Sequence, residues 1–263
     1  MVMSSTILKL IALALMLTDH IAEFIPGTSI VLHYIGRLSY PIFLFCMLWS
    51  LHYTHDRGQY FKRLYLMGIV MAVMDIVLNN VIVNPHVYIT NNIMIPLLLT
   101  GVIVHIIERF RNDRKEGTKW LAGFLILQVV SSVLCVLLED FMGLWGIPRF
   151  IGAILPNVIW CEGGIFYIAM GVTLYFMKES KWKLSVTYMI FSSFFILTSA
   201  PDFTYESLMW YNYQWMQIFA LPFMLLYNGK RGPKMKYFFY IFYPVHIAVL
   251  YLIGNNIIFA IIP

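Results

Sequence analysis

Long apolar runs recur along almost the whole chain, and this feature limits the possible folds more than any other. A run of about 20 apolar residues is long enough to cross the hydrocarbon core of a bilayer as one helix. Of the 263 residues, 60% are hydrophobic and 12% are charged, whereas roughly 25% are charged in soluble domains. No polar block is long enough to fold as a soluble domain of ordinary size. The sequence therefore predicts an all-α integral membrane protein with one membrane domain over residues 1–263.

The apolar runs predict a polytopic helical bundle with about nine transmembrane helices. No small-residue cleavage site follows the first run, so we expect that run to be retained as a helix. The predicted spans lie near residues 6–25, 30–53, 60–83, 88–108, 119–139, 150–177, 184–200, 209–227 and 237–262.

The polar connections between these runs alternate in charge. HDRGQYFKR, ERFRNDRKEGTK, KESKWK and NGKRGPKMK are basic, while PGTS, NPHVYIT, EDFMGLWG and PDFTYES are neutral or acidic. Of the 18 Lys and Arg residues, all but Arg37 and Arg149 lie in or beside the basic group, counting Lys9 at the start of the first helix. The positive-inside rule places that group in the cytoplasm. We therefore predict a multi-pass protein of a bacterial-type cytoplasmic membrane with its N-terminus in the cytoplasm. The lipid bilayer is its expected partner, and no nucleic-acid partner is expected.

Ionisable side chains inside the predicted spans are the first candidates for function. Such residues are costly in lipid, so they face the bundle interior, pair with one another or line water. Counting along each helix places most of them in the outer half of the bilayer. A structural alternative is that Arg37 pairs with Asp19 or Asp75 and only holds helices together. The set is Asp19, His20, Arg37, Asp75, Glu162 and His246.

Asp19 and His20 are adjacent, which makes two costly groups in one helical turn. Neighbouring residues on a helix point about 100° apart, so the two side chains need different partners. Asp19 instead shares a face with Glu23. We expect one of the pair to engage Arg37 and the other to point into a cavity. A histidine in a water-accessible, partly desolvated site can act as a general base.

The predicted span at 150–177 contains the stretch GAILPNVIWCEGGIF, which is poorly suited to a continuous helix. Pro156 and the pair Gly163 and Gly164 weaken the helix and free backbone polar groups, and Glu162 adds a charge. Irregular backbone at membrane depth has to be surrounded by protein or by a water-filled cavity. A broken helix in a polar interior is therefore expected here.

Three stretches together resemble the TraX family, whose founding members N-acetylate the pilin of conjugative pili. They are LKLIALALMLTDHIAEF and IGRLSYPIFLFCMLWSLHYTHDRGQYFKRL in the first part of the chain and KYFFYIFYPVHIAVLYLIG at its far end. The family is similar, more distantly, to multi-span acyltransferases that use cytoplasmic acetyl-CoA to modify an acceptor across the membrane. The resemblance implies an acetyl-CoA-dependent acyltransferase that acts on an amine or hydroxyl of a peptide or glycan.

Carried onto this sequence, the resemblance implies catalytic roles for Asp19, His20, Arg37 and His246. We expect His20 or His246 to remove the acceptor's proton, and Arg37 to stabilise the oxyanion or to orient Asp19. Direct transfer with His20 as base is favoured, while an acetylated histidine intermediate stays open. No metal-ligand spacing is persuasive. The phosphates of acetyl-CoA are expected to meet cytoplasmic basic residues, namely Arg57, Lys62, Arg63, Lys230 and Arg231.

Two other classes of function fit parts of the same pattern. Ionisable residues inside spans also form proton relays, so a proton-coupled transporter is one alternative. The sequence shows no convincing internal repeat of the kind many transporters carry. A membrane assembly factor that binds a partner helix through aromatic side chains is another, although tryptophan and tyrosine at helix ends are usually interface anchors. The identity of the acceptor and the oligomeric state are left open.

Overall fold

The computed structural model describes residues 2–82, 87–199 and 203–261. The internal residues outside this description are 83–86 and 200–202. They belong to the predicted outer connections NPHVYIT and PDFTYES, and residues 83 and 200 are the last residues of two predicted spans. The end of the last predicted span, at 262, also lies outside the described residues.

The all-α prediction is confirmed for the described part of the chain, which contains eleven α-helices and no β-strand. A π-helical segment at Ser207–Tyr211 and a 3₁₀-helix at Gln214–Ala220 follow the ninth α-helix. The α-helices are α1 (Ser5–Phe24), α2 (Val31–Gly36), α3 (Ser39–Tyr53), α4 (Arg57–Val81), α5 (Met94–Asn112), α6 (Arg114–Met142), α7 (Ile147–Ile154), α8 (Gly164–Met177), α9 (Lys181–Ser199), α10 (Leu221–Leu225) and α11 (Lys236–Ile261).

Several of these helices are suited to a membrane. Among the described residues, four stretches are long and apolar enough to cross one: Val31–Tyr53, Arg57–Val81, Arg114–Glu139 and Lys236–Asn255. Helix α6 presents a row of large apolar side chains to the outside, including Ile126 and Val129, which are each 64% exposed. Such an exposed apolar row is unfavourable in water and favourable in lipid. The chain is therefore an integral membrane protein.

Three predicted spans differ from continuous α-helices. The predicted span at 30–53 is divided between the end of α2 at Gly36 and the start of α3 at Ser39. The predicted span at 150–177 is broken between the end of α7 at Ile154 and the start of α8 at Gly164, as its proline and glycines indicated. The predicted span at 209–227 is wrong as a single helix, because it consists of the end of the π-helical segment, the 3₁₀-helix and the short helix α10. Side-chain and proline effects interrupt it: Asn212 accepts a hydrogen bond from the backbone of Gln214, and Pro222 lacks a backbone donor.

The chain divides into two compact units. The first contains residues 1–49 and 176–263, and the second contains residues 50–175. In the first unit, the start of α1 is held by the loop that precedes α11. The backbone N–H groups of Ser5 and Thr6 donate to the carbonyls of Lys230 (2.9 Å) and Arg231 (3.0 Å). These bonds satisfy donors that a helix N-terminus leaves without intrahelical partners, and they fix the start of α1.

Helices α1 and α11 also approach closely within the first unit. Gly254 of α11 packs so tightly on the backbone carbonyl of Phe24 that a side chain there would overlap it. The ring of Phe24 meets Tyr251 edge to face with centroids 5.9 Å apart. This contact aligns the C-terminal end of α1 with the C-terminal half of α11.

In the second unit, the break between α7 and α8 is stabilised by a polar side chain of α6. Gln128 donates from its amide nitrogen to the carbonyl of Pro156 (2.9 Å) and accepts from the backbone N–H of Val158 (2.9 Å). One side chain therefore satisfies a donor and an acceptor that the broken helix exposes. Irregular backbone at membrane depth requires this kind of compensation.

Asn157, which is fully buried, completes the same network. Its amide nitrogen donates to the hydroxyls of Ser131 (2.7 Å) and Ser132 (2.9 Å) on α6, and its carbonyl oxygen accepts from the backbone of Ile159 (2.8 Å). Replacing Asn157 by leucine removes these bonds and leaves buried polar groups without partners.

We expect Asn157→Leu to lower the free energy of unfolding of the second unit by about 2–5 kcal/mol, because several buried polar groups lose their hydrogen bonds together. Denaturant or thermal unfolding of the purified protein in detergent measures the change. The matched control is Asn112→Leu at the exposed end of α5, where we expect less than about 0.5 kcal/mol. Equal stability of Asn157→Leu and the wild type would contradict this account of the broken helix.

Candidate functional site

A buried pair of histidines joins the two ends of the chain. His20 lies on α1 and His246 on α11, and their exposed fractions are 5% and 6%. Nδ1 of His20 is 2.8 Å from Nε2 of His246, and the rings are nearly parallel with centroids 5.0 Å apart. Sequence reasoning selected both residues but gave no reason to place them in contact.

The partners of His246 determine which ring nitrogen carries each proton. Nδ1 of His246 lies 2.8 Å from the carbonyl oxygen of Phe242, one turn earlier on α11. A carbonyl oxygen can only accept, so Nδ1 of His246 carries a proton. With both rings neutral, Nε2 of His246 is then an acceptor, and Nδ1 of His20 donates to it. The lone pair of His20 therefore resides on Nε2.

Glu23 lies beside that nitrogen. One turn after His20 on α1, its Oε2 is 3.9 Å from Nε2 of His20. The side chain of Glu23 is 26% exposed and that of His20 is 6% exposed. The site is therefore more accessible on the Glu23 side than on the His246 side.

Asp19 faces a different set of partners from His20, as the helical geometry predicted. Both carboxylate oxygens of Asp19 accept from Nη2 of Arg37, with Oδ1 at 2.5 Å. Oδ1 also accepts from Nδ1 of His33 at 2.7 Å. Of the two pairings that the sequence allowed for Arg37, the structure has the one with Asp19. Asp19 is thus the carboxylate that holds the guanidinium, and His20 bonds to a second histidine.

Arg37 also contacts side chains other than Asp19. Its Nη1 donates to the side-chain oxygen of Gln214 (3.2 Å), and the guanidinium lies over the ring of Tyr213, 5.5 Å from the centroid. The ring of His33 is stacked on the same tyrosine with centroids 5.5 Å apart. Tyr213 and Gln214 come from the interrupted segment between α9 and α10, so the correction to that predicted span explains how they reach Arg37.

Gly36 allows α2 to approach Asp19. A Cβ atom built on Gly36 would overlap Cβ and Cγ of Asp19. This contact gives a physical reason for the glycine in the stretch GRLSYPIF, next to Arg37. Any larger residue must push the carboxylate away from its partners.

We expect Gly36→Ala to destabilise the protein by about 1–3 kcal/mol, since overpacking of this kind forces side chains off their preferred rotamers. The matched control is Gly123→Ala on α6, because nothing lies within 4 Å of the added methyl group there. Alanine has the higher helix propensity, so the control should be neutral or slightly stabilising. Parallel thermal unfolding of the two variants checks the difference, and equal melting temperatures would contradict it.

Sequence reasoning missed several residues of this cluster. His33 precedes Arg37 by four positions, a spacing that places two side chains on one helix face, and this signal was available. Lys9 lies outside the cluster, about three helical turns before His20 on the same face of α1. Glu23 was placed on the face of Asp19, yet it lies near His20. Tyr213 and Gln214 had no signal, because their contribution depends on the backbone path of the interrupted segment.

The residues predicted to meet the donor's phosphates belong to both units. In the first unit, Lys230 and Arg231 are exposed and lie in the loop that holds the start of α1. In the second, Lys62 is exposed on α4 and Arg63 is partly buried. Arg57 forms an ion pair with Glu108 and a hydrogen bond to the hydroxyl of Tyr175 (3.3 Å).

Arg57 and Glu108 also line an open pocket of about 670 Å³ in the second unit. The other side chains around it include both signs of charge and two histidines, so the pocket has no strong net charge. They are His55, Asp56, Gly58, His105, Arg109 and Asn112.

Asp75 and Glu162, the other acids inside predicted spans, belong to the second unit. They line a small cavity with Arg149, and its volume of about 20 Å³ is enough for one water molecule. Glu162 accepts a hydrogen bond from the backbone N–H of Asn92 (2.6 Å). A structural role in the second unit accounts for Glu162.

Comparison with known proteins gives one match, at the level of the family. No curated protein and no solved structure matches the sequence significantly. The family model described as "TraX protein" matches residues 4–254. That range includes both histidines, the Asp19–Arg37 pair and the interrupted segment between α9 and α10. The chain belongs to the TraX family.

Proposed function

We propose that this protein is a membrane-embedded acyltransferase that moves an acetyl group from cytoplasmic acetyl-CoA to an amine or hydroxyl acceptor near the outer half of the membrane. The observation that carries the proposal is the buried histidine pair, in which the contacts of His246 leave the lone pair of His20 on Nε2. A base held in one tautomer and one orientation is what proton removal from an acceptor requires.

In this mechanism, Nε2 of His20 takes the proton of the acceptor as its nitrogen or oxygen attacks the thioester carbonyl. The tetrahedral intermediate then expels the thiolate of CoA, which receives the proton from the His20 imidazolium. The products are the acetylated acceptor and CoA with a free thiol. General base catalysis of this kind contributes about 10²–10⁴-fold to the rate.

The geometry favours His20 over His246 as the base. Both ring nitrogens of His246 are engaged, one by the carbonyl of Phe242 and the other by His20. His246 is therefore a positioning residue that fixes the tautomer of His20. We propose direct transfer, in which neither histidine carries the acetyl group.

The position of Lys9 indicates how acetyl-CoA lies along α1. The eleven residues from Lys9 to His20 amount to about 16 Å along the helix axis. The pantetheine arm has about thirteen bonds between its sulfur and the diphosphate, which at the reach of an extended peptide is about 15 Å. The loop that contains Lys230 and Arg231 is hydrogen-bonded to Ser5 and Thr6, about one helical turn before Lys9. We infer that the phosphates of acetyl-CoA bind Lys9, Lys230 and Arg231.

Arg37 acts through Asp19 in this proposal. Its guanidinium already donates to Asp19 and to Gln214, which supports an orienting role over direct contact with the oxyanion. The Asp19–Arg37 pair joins α1 to the α2–α3 segment next to His20. Its function is to hold the outer end of α1 in the geometry that the histidine pair needs.

We further propose a cytoplasmic N-terminus and about nine crossings of a bacterial cytoplasmic membrane, in which the segment from 207 to 225 crosses as short helical pieces. The charge asymmetry of the connections supports this orientation. It places Lys9 at the cytoplasmic end of α1, where acetyl-CoA is available, and His20 toward the other side.

Mass spectrometry of cells with and without the protein tests the proposal. A strain that lacks it should lose an acetyl group from one extracytoplasmic peptide or glycan, and expression of the wild-type protein should restore that group. A strain with an unchanged set of acetylated products would contradict the proposal.

A further inference from the structure

The charged hairpin between α5 and α6 has no role in the mechanism above. Helix α5 ends at Asn112 and α6 begins at Arg114, so Asp113 alone joins them. The stretch from 105 to 120 carries five lysine or arginine residues and three acids. The partners of the three acids decide how much positive charge is left at this end of α6.

All three acids are already engaged. Glu108 is paired with Arg57. Asp113 caps the start of α6 by accepting hydrogen bonds from two backbone N–H groups, at 2.9 and 3.2 Å. Glu116 is paired with Lys119 on the next turn, at 2.6 Å. None of these carboxylates therefore neutralises the first two residues of α6.

Those two residues are the cations Arg114 and Lys115, and both are exposed. In the part of the chain that the structure describes, neither side chain forms an ion pair. The guanidinium of Arg114 lies over the ring of Phe110, 5.8 Å from the centroid. Because Asp113 occupies the backbone donors at this helix end, an anion here would meet the two cationic side chains.

The two cations stand at the end of the apolar row of α6. Arg114 precedes Leu125 by eleven residues and Lys115 precedes Ile126 by eleven, which is about three helical turns, so each cation shares a face with an apolar side chain. Leu125 and Ile126 are 54% and 64% exposed. Eleven residues also rise by about 16 Å, close to half of the hydrocarbon core of a bilayer. The row continues for eleven more residues to Leu137, which is 61% exposed.

Trp120 marks the edge of the hydrocarbon on the same helix. It lies between the two cations and the exposed apolar pair, and it is 50% exposed. Its ring meets His105 of α5 edge to face, with centroids 5.5 Å apart. Tryptophan is enriched where the hydrocarbon meets the headgroups. Arg114 and Lys115 therefore lie at the level of the lipid phosphates.

We propose that the start of α6 is a binding site for an anionic phospholipid. The headgroup phosphate contacts Arg114 and Lys115, and the acyl chains lie along the row that contains Leu125 and Ile126. A guanidinium binds phosphate through two parallel hydrogen bonds, and clustered cations beside a membrane helix attract anionic lipids. A zwitterionic lipid carries an ammonium group that these cations repel. The inference goes beyond the proposed function and does not depend on it.

The test measures binding of radiolabelled phosphatidylglycerol to the full-length protein in detergent micelles. Unlabelled phosphatidylglycerol, or phosphatidylcholine with the same acyl chains, competes for the site. Each cation near an anionic headgroup is worth about fivefold in affinity. We expect phosphatidylglycerol to compete about 10- to 30-fold better than phosphatidylcholine, and Arg114→Gln with Lys115→Gln to abolish most of that difference.

The matched control removes the same charge from the start of α9. Lys181→Gln with Lys183→Gln takes away two exposed lysines. Lys181 precedes Ser192 by eleven residues, and Ser192 is fully buried, so this lysine does not continue into an exposed apolar row. We expect the α9 variant to change the affinity for phosphatidylglycerol by less than about twofold, since general attraction to the micelle is only a small part of binding.

Inorganic phosphate at constant ionic strength separates a lipid from a free anion. It lacks acyl chains and should not displace the labelled lipid. Displacement by phosphate as effective as by phosphatidylglycerol would overturn the assignment to a lipid. Equal competition by the two lipids, or equal losses in the α6 and α9 variants, would overturn the site itself.

Thermal unfolding checks that the variants fold. If the double α6 variant does not fold, Lys115→Gln is used alone, because this exposed side chain makes no ion pair. It should lower the affinity for phosphatidylglycerol by about fivefold. An unchanged affinity would contradict the inference. All of these measurements omit acetyl-CoA, so their outcome is separate from that of the acetyl-transfer assays.

Discussion

Replacing His20 by glutamine is expected to lower the rate of acetyl transfer by about 10²–10⁴-fold while the protein remains folded. Glutamine can donate to Nε2 of His246 from its amide, so the contact with α11 is preserved in part. It cannot accept a proton from the acceptor at neutral pH. The rate of CoA thiol release in lipid vesicles measures the effect, and thermal unfolding confirms the fold.

His246→Gln and His52→Gln complete this experiment. The side-chain oxygen of a glutamine at 246 can still accept from Nδ1 of His20, so this variant should lose less activity than His20→Gln. His52 is exposed at the end of α3, and its replacement should leave the rate unchanged. A larger loss in His246→Gln than in His20→Gln would show that the base has been assigned to the wrong histidine.

Replacing Asp19 by alanine is expected to have the largest effect on stability. The carboxylate accepts from Arg37 and His33, and its side chain is 12% exposed. Removing it takes away the carboxylate bonded to a guanidinium whose side chain is 26% exposed. Breaking a buried pair in this way costs about 3–5 kcal/mol. Denaturant unfolding in detergent measures the loss.

A second substitution separates charge from packing at the same position. Asp19→Asn combined with Arg37→Gln removes both charges and keeps similar shapes, so we expect it to recover more than half of the stability lost in Asp19→Ala. If the single variant loses less than about 0.5 kcal/mol, the pair does not hold α1 to the α2–α3 segment, and the orienting role of Arg37 fails with it.

Hydropathy and helix geometry predict much of this fold from sequence. The apolar runs place α1, α4, α6, α9 and α11 within a few residues of their observed bounds, because each is set by its own composition and by local end signals. The angle between neighbouring residues on a helix predicts that Asp19 and His20 have separate partners. Both predictions depend only on the sequence of a single helix.

The parts that could not be predicted depend on contacts between distant segments. His20 and His246 are separated by 226 positions, and no local pattern shows that α1 and α11 are neighbours. The predicted span at 209–227 is wrong as one helix, since hydropathy reports the polarity of a segment and not its backbone path. Gln214 reaches Arg37 only because that path is interrupted.

The distribution of ionisable groups bears on the transporter alternative. The buried histidine pair and the Asp19–Arg37 pair lie in the first unit, while Asp75 and Glu162 line a cavity in the second that is large enough for about one water molecule. In the proposed acyltransferase mechanism, the histidine pair takes the proton of the acceptor and the Asp19–Arg37 pair holds α1 in position. It requires no movement of a solute through the protein.

The most direct measurement of the central claim follows the acetyl group itself. Purified protein in lipid vesicles is supplied with acetyl-CoA that carries a radiolabel in its acetyl group, together with an amine-bearing peptide. The proposed function predicts labelled peptide and an equal amount of CoA thiol in the wild type, and neither above background in His20→Gln. Saturable binding of acetyl-CoA without release of thiol, or equal transfer by His20→Gln, would contradict it.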